Sequence, residues 1–356
     1  MRTIAIANQK GGCGKTTTAV NLAAALAEKG NRTLIVDLDP QGHTTLGFGY
    51  DPDALEKSVY DVLINQQVPI SKVIISTKFD LLDLAPSNVL LSGAELELAA
   101  IPGKELVLAK QLQTINNEYD ICVIDCPPSI GMLTLNALIA STDVIVPVQV
   151  HYYAMEGLKQ LFETANIIRE NFYPNTVRIL GLLLTFVENT TIFSRQIQQQ
   201  MREFFGSLVF DTVIHKTVRL AEAPSAGEPV LTYAPKSRGT EEYRALADEI
   251  INGRPLASEK MSDDETAEEK ISIEKVMVEE TSDDEVMVEE TSDDEATVEQ
   301  MSNDEATVEQ MSNDEATVEQ MNDNEATVEQ MSNDETAEEK ISAEEVMVEE
   351  MNDGKE

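Results

Sequence analysis

The chain has 356 residues, 65 acidic and 26 basic, for a formal net charge of −39. Its three cysteines (Cys13, Cys122, Cys126) form no paired framework and no tandem CxxC, which excludes a disulfide scaffold or a zinc ribbon, and no apolar run approaches the ~20 residues of a membrane span. The charge divides unevenly: residues 1–256 hold 28 acidic and 21 basic side chains, residues 257–356 hold 37 and 5, and Tyr243 is the last aromatic residue.

Two materials therefore meet near Pro255. Residues 1–254 have the size of one α/β domain, and residues 255–356 form an acidic polymer. Met1-Arg2-Thr3-Ile4 leads directly into a strand-like segment without a secretory pattern. The expected setting is soluble, reducing and cytoplasmic.

In chain order, Thr3-Ile4-Ala5-Ile6-Ala7 reads as a strand that runs into a glycine-rich turn. Residues 17–29 follow as an Ala/Leu-rich helix closed by Gly30. Thr33-Leu34-Ile35-Val36-Asp37 is the next strand, and further apolar runs lie at 121–125, 144–148 and 179–186. Near-continuous Ile/Val/Leu runs, rather than alternating ones, suit parallel strands covered on both faces. The expected class is α/β, a doubly wound, mostly parallel sheet with helices on both faces. Ligands of such sheets bind beyond the carboxyl ends of the strands.

The turn after the first strand reads Gln9-Lys10-Gly11-Gly12-Cys13-Gly14-Lys15-Thr16-Thr17. Glycines let successive backbone N–H groups converge on anionic oxygens, and the start of the following helix adds a favourable dipole. Lys15 can then reach terminal phosphates, and the Thr16 hydroxyl can ligate Mg²⁺. The usual G-x-x-x-x-G-K-[ST] pattern fails at Gln9; the chain has K-G-G-x-G-K-T, with an additional lysine at Lys10. Cys13 reads as a small side chain filling the loop's variable position.

Two strands end in acid. Val36-Asp37-Leu38-Asp39-Pro40-Gln41-Gly42 follows one, and Asp125-Cys126-Pro127-Pro128-Ser129 closes the other. A carboxylate at a strand end is how phosphate-loop enzymes hold Mg²⁺, usually through water, and Asp125 suits that role. Asp39 is expected at a strand end beside the phosphate loop, where it could position or activate water. His43, His151 and His215 are too dispersed for a metal site. Cys122 and Cys126 read as small buried side chains, and Ser129 lacks a nucleophile-elbow setting.

The acidic segment repeats every ten residues over 261–350, as in Met301-Ser-Asn-Asp-Glu-Ala-Thr-Val-Glu-Gln310 and its copy at 311–320. Its apolar positions follow neither helical spacing nor steady alternation. Each unit has too little apolar surface to offset the entropy of ordering it, and like charges repel, so a disordered tail is expected. One hundred coil residues reach about 50–60 Å, enough to compete with an anionic partner for a basic face of the body.

These motifs carry a family resemblance. The phosphate loop at residues 10–17 resembles the deviant Walker A loop of the ParA/MinD superfamily. Asp37-Leu38-Asp39-Pro40-Gln41-Gly42, Asp125-Cys126-Pro127-Pro128-Ser129 and Val218-Arg219-Leu220-Ala221-Glu222-Ala223-Pro224-Ser225 are similar to those of ParA/Soj partitioning ATPases. Tyr152-Tyr153-Ala154-Met155-Glu156-Gly157-Leu158 and Lys236-Ser237-Arg238-Gly239 belong to the same resemblance, which covers residues 1–252 and has no counterpart for the tail. It implies a slow ATPase using ATP and Mg²⁺, with a nucleotide-sandwich homodimer, non-specific DNA binding, nucleoid association, and stimulation by a ParB-like centromere-binding protein. It assigns nucleotide contacts to Lys10, Gly11, Gly12, Cys13, Gly14, Lys15, Thr16, Thr17, Asp125 and Pro224. Lys10 would reach the partner's phosphates; Lys15 and Asp39 would serve hydrolysis. The choice of adenine follows from the resemblance alone.

Non-specific DNA binding needs clustered Lys and Arg, yet residues 188–256 hold 8 basic and 9 acidic side chains. Arg195, Arg202 and Arg244 are among the basic residues of this half. The resemblance favours Lys216, and Arg219, Lys236 and Arg238 are the further candidates. Relatives often carry another Arg shortly after the strand ending near Phe186, where this chain reads Glu188-Asn189-Thr190-Thr191. Two alternatives stand beside partitioning: a ParA-like ATPase that positions a protein cargo or regulates transcription, and a MinD-type membrane-surface ATPase. The latter needs a basic amphipathic helix at its C-terminus, the chemical opposite of this acidic tail.

Overall fold

Strand residues alternate between two apolar layers, and that alternation builds the sheet. Ile4, Ile6, Ile35, Val123, Ile145 and Leu183 enter one core, while Ala5, Leu34, Val36, Cys122, Ile124, Val144 and Leu182 enter the other. The computed structural model describes residues 1–253 except 66, 151–157, 173–176 and 189–190. The acidic repeat, its expected disorder and the boundary at 255, as well as His151 and residues 152–157 of the family motif, lie outside the described residues.

The strands are β1 (Arg2–Ile6), β2 (Thr33–Asp37), β3 (Ile75–Ser76), β4 (Leu82–Ala85), β5 (Ile121–Asp125), β6 (Asp143–Gln149) and β7 (Arg178–Thr185). Their order is β3-β4-β2-β5-β1-β6-β7, with every pairing parallel except β3 with β4. The helices are α1 (Lys15–Glu28), α2 (His43–Gly47), α3 (Val59–Ile64), α4 (Leu91–Leu98), α5 (Val107–Thr114), α6 (Met132–Ala140), α7 (Leu158–Asn171), α8 (Ile192–Phe205), α9 (Val218–Glu222), α10 (Val230–Tyr233) and α11 (Arg238–Ile251). Helices α1, α10 and α11 cover one face of the sheet, and α3 to α7 supply the other core. Leu22 and Leu26 of α1 are fully buried, a contribution of about 1.5–3 kcal/mol each.

Helix α1 starts at Lys15 rather than Thr17, because Gly14 takes the left-handed conformation at its N-cap (φ 87°). No side chain caps this end, so its first N–H groups remain available to an anion. Gly30, at φ 90°, closes the far end and donates to the Ala27 carbonyl (2.8 Å). At the opposite end of the central strands, buried Asp143 binds Arg2 (2.8 Å) and Arg178 (2.5 Å), joining β1, β6 and β7.

The strand order corrects one expectation. β2 is not beside β1; β5 lies between them. Asp125 is thus in register with Ile6 on one side and Asp37 on the other. Asp39 comes from one strand further away than expected, and the chain beyond β2 must bend back to bring it near the loop.

Candidate functional site

The loop after β1 is tied down at several points. Asn8 Nδ2 donates to the Pro147 carbonyl (2.7 Å), and its Oδ1 accepts from the Lys10 amide (3.0 Å). Thr185 Oγ1 donates to the Cys13 carbonyl (2.9 Å), which fixes the loop to β7. Lys15 folds back so that Nζ donates to the Lys10 carbonyl (2.9 Å), and Cys13 Sγ donates to the same oxygen (3.2 Å). Gly12 and Gly14 have φ of 68° and 87°, and a Cβ on Gly11 or Gly12 would meet nothing within 4 Å. The result is an open cradle of backbone amides above the start of α1. Cys13 is buried, and burial pushes its thiol up from the ordinary range; it props the loop and is not a nucleophile.

Beneath the cradle lie three buried carboxylates. Asp125 Oδ2 accepts from Thr44 Oγ1 (2.8 Å). Asp37 Oδ2 accepts from both the Thr45 amide (2.9 Å) and the Thr45 hydroxyl (2.8 Å), and its Oδ1 accepts from the Asp39 amide (3.2 Å). Asp39 Oδ1 accepts from the Gln41 amide (3.0 Å), and its carbonyl accepts from Ser87 Oγ (2.6 Å) and the Gly42 amide (3.0 Å). Gly42 makes this bend at φ 64°, where a Cβ would fall 2.8 Å from Pro52 Cγ.

Burial raises the pKa of both Asp37 and Asp125, and the charge of Asp125 pushes Asp37 further upward. For Asp125 the hydroxyls of Thr44 and Thr16 and the ammonium of Lys15 oppose burial, whereas the charge of Asp39 adds to it. Lys15, Thr16, Asp39 and Asp125 therefore share one electrostatic neighbourhood. Asp125 Oδ1 is buried without a well-formed hydrogen bond, the Thr16 hydroxyl included. A buried carboxylate oxygen without a geometrically formed hydrogen bond, beside the Thr16 hydroxyl, supplies hard oxygen donors of the kind Mg²⁺ takes, so these residues fit the cation.

Sequence reasoning missed the hydroxyls that hold this site: Thr44 and Thr45 on the carboxylates, Ser87 on the Asp39 carbonyl and Thr185 on the Cys13 carbonyl. Their only local signal is the Thr44-Thr45 pair shortly after Asp39. Asn88, whose buried Oδ1 also has no partner, adjoins Ser87.

Thr16 and Thr17 also face a cavity of about 760 Å³, whose walls include His43, Tyr50, Asp51, Pro224 and Glu228. Pro224 thus lies near the start of α1, on a wall shared with the phosphate loop's last residues. Gly49 and Gly227 touch backbone to backbone at this wall: a Cβ on Gly227 would be 2.7 Å from Gly49 Cα.

The candidate DNA residues lie along 216–238, mostly in ion pairs. Lys216 pairs with Glu188 (3.2 Å), Arg219 with Glu222 (2.8 Å) and Arg238 with Glu242 (2.8 Å). Arg238 also donates to Nε2 of buried His215, whose Nδ1–H donates to Glu242 (2.6 Å each). Among the described residues Lys236 has no ion pair. His215 is therefore a structural link and His43 a cavity wall. Cys122 and Cys126 are buried, with thiols pushed far up by burial. No described helix is long and apolar enough to cross a membrane.

The chain is similar to known proteins in sequence and in fold. The family model described as AAA domain matches residues 1–179. Over 247 residues the chain is 44% identical to the sporulation initiation inhibitor protein Soj of Bacillus subtilis, covering 69% of this chain and 97% of Soj. It is 42% identical over 250 residues to the chromosome partitioning protein ParA of Myxococcus xanthus, covering 70% and 88%. Among solved structures it resembles cobyrinic acid a,c-diamide synthase of Mycobacterium smegmatis with bound ADP and magnesium, with a TM-score of 0.62, 37% identity, and 71% and 94% of the two chains covered.

Proposed function

This chain belongs to the ParA/Soj family of P-loop ATPases, and on that premise we propose that it is a Mg²⁺-dependent ATPase whose nucleotide state gates DNA binding. The observation that carries the reading is the convergence of Lys15, Thr16 and Asp39 on buried Asp125 beneath an uncapped helix start. The ADP and magnesium in the Mycobacterium smegmatis relative support ATP and Mg²⁺ as this chain's ligands.

In this reading Lys15 exchanges the Lys10 carbonyl for terminal phosphate oxygens, while amides of residues 11–17 receive the remaining negative charge. Thr16 and, through water, Asp125 would hold magnesium, with Thr44 keeping the Asp125 carboxylate oriented. Magnesium, when bound, neutralises charge on the phosphates. Asp39, held at its backbone by Ser87 and Gly42, accepts a hydrogen bond from the attacking water and aims it. Lys10 has no side-chain partner among the described residues, and we assign it to the phosphates of a second protomer, where it stabilises transition-state charge as an arginine finger does.

The nucleotide-bound homodimer then presents Lys216, Arg219, Lys236 and Arg238 to duplex DNA without sequence preference. A ParB-like protein stimulates hydrolysis and releases the dimer, which moves a chromosome or plasmid over the nucleoid. Release of inorganic phosphate tests the enzymatic core. Wild type should turn over slowly with Mg²⁺, Lys15→Ala should lose productive nucleotide binding, and Lys10→Ala should bind nucleotide without hydrolysing it. Asp39→Ala should accumulate an ATP-bound dimer; normal turnover by that variant would refute the role of Asp39.

A further inference from the structure

Arg238 opens α11, the end of a helix where the dipole disfavours a cation. Two side chains nevertheless hold its guanidinium against the body. Its Nε donates to Glu242 Oε1 (2.8 Å), one turn along the helix, and its Nη2 donates to Nε2 of His215 (2.6 Å). Glu242 in turn accepts from the backbone amide of His215 (2.9 Å) and from its Nδ1–H (2.6 Å). The imidazole is buried and Glu242 nearly so, whereas the Arg238 side chain is 54% exposed.

These contacts fix the protonation state of His215. A guanidinium carries donors only and keeps its charge at every pH a folded protein meets. The nitrogen that accepts from it must present a lone pair, so the imidazole is neutral with its proton on Nδ1. A second proton has one place to go, Nε2, which is the atom Arg238 occupies. Proton and guanidinium therefore exclude each other, because an Nε2–H would set two donors and two positive charges 2.6 Å apart. Glu242 can pair fully with only one of these cations. The other charges beside the ring are Lys216 and Glu188, on the edge where His215 bridges to Val187 beyond β7, and they pair with each other (3.2 Å).

We propose that protonation of His215 releases Arg238 to DNA phosphates, so that DNA binding strengthens as pH falls through the histidine range; this rests on the DNA-binding reading above. The imidazolium keeps Glu242 through Nδ1–H as an ion pair, and the exposed guanidinium swings into solvent, away from the unfavourable helix start. There it joins Lys216, next to His215 in the chain, and Lys236, two residues before it. An ordinary imidazole changes charge near pH 6.5, where exposed acidic and basic side chains keep theirs. By linkage the DNA complex holds more protons than the free protein, and affinity falls as pH rises.

Anisotropy titration of a non-specific duplex with the full chain in Mg·ATP, at pH 6 and at pH 8, provides the test. Wild type should bind several-fold more tightly at pH 6, with a log–log salt slope steeper by about one, the gain of one phosphate contact. His215→Asn keeps a donor for Glu242 and cannot gain a charge, so it should lose that difference. Arg238→Ala leaves the imidazole free to titrate but has no guanidinium to release, and it should lose the difference as well. Titration of the buried site carboxylates would affect all three proteins alike, and thermal unfolding checks that each variant folds. A wild type without pH dependence, or equal dependence in wild type and either folded variant, would overturn the proposal alone. Wild type that binds no DNA at either pH would overturn the DNA-binding reading and this proposal with it.

Discussion

Replacing Asp125 by Asn should stabilise the metal-free protein while removing its hydrolytic activity. Asp125 and Asp37 are fully buried and paired in register on neighbouring strands. Strands in register lie about 4.8 Å apart, and two full charges at that distance repel by roughly 3 kcal/mol at an effective dielectric of about 20. Thr44 and Thr45 offset part of this, and Asn keeps an acceptor for Thr44. The net gain expected at pH 8 is therefore about 1–3 kcal/mol.

Its pH dependence has a definite sign. Both carboxyls have folded pKa values raised above the ordinary value near 4. The folded state then holds more protons than the unfolded state above about pH 4, so metal-free stability falls as pH rises toward neutrality. Asp125→Asn should flatten that fall, with a small advantage at pH 5 and the full advantage at pH 8. The chain has no tryptophan, so urea unfolding followed by circular dichroism in EDTA is the suitable assay. Added Mg·nucleotide should stabilise wild type and leave the variant unmoved. A variant less stable than wild type at pH 8, or an advantage equal at both pH values, would refute the reasoning.

Lys216→Ala should weaken DNA binding and reduce the magnitude of the log–log salt slope by about one, the loss of one phosphate contact; an unchanged slope removes Lys216 from the interface. Glu188→Gln, which frees Lys216 from its 3.2 Å pair, should act in the opposite direction and raise DNA affinity a few-fold in an anisotropy titration. Deleting residues 257–356 should raise DNA affinity at low salt if the acidic tail competes for the same cations, and equal affinity dismisses that competition. Gly227→Ala places a Cβ 2.7 Å from Gly49 Cα at φ 66°. Denaturant unfolding should register a loss of about 2 kcal/mol or more, and a neutral result would show that the two loops can separate freely.

The strands were readable in the sequence where burial on both faces produced unbroken apolar runs. The residues expected for β2 and β5 match their observed bounds, because Thr33-Leu34-Ile35-Val36 and Ile121-Cys122-Val123-Ile124 allow no other packing. β4 was hidden because Asp83 interrupts a four-residue strand, and β3 because it has only two residues. The strand order was not local information. The insertion of β5 between β1 and β2 depends on long-range register, which is why Asp39 was expected one strand too close. For the site, charged residues announced themselves and hydroxyls did not. Lys15, Asp39 and Asp125 could be identified by their place after strands, but Thr44 and Ser87 matter only through the acid they contact. Phe186 looked like the end of an apolar run, and its left-handed backbone (φ 54°) is visible only in three dimensions.

The central claim, that nucleotide state gates DNA binding, is tested most directly by one comparison. Purified full-length protein is titrated against a non-specific duplex with Mg·ATP and with Mg·ADP, and Asp39→Ala is measured alongside. The account predicts tight, salt-sensitive binding with ATP, little binding with ADP, and sustained binding by Asp39→Ala because its ATP is not consumed. Equal DNA affinity in ATP and ADP, for both proteins, would contradict it.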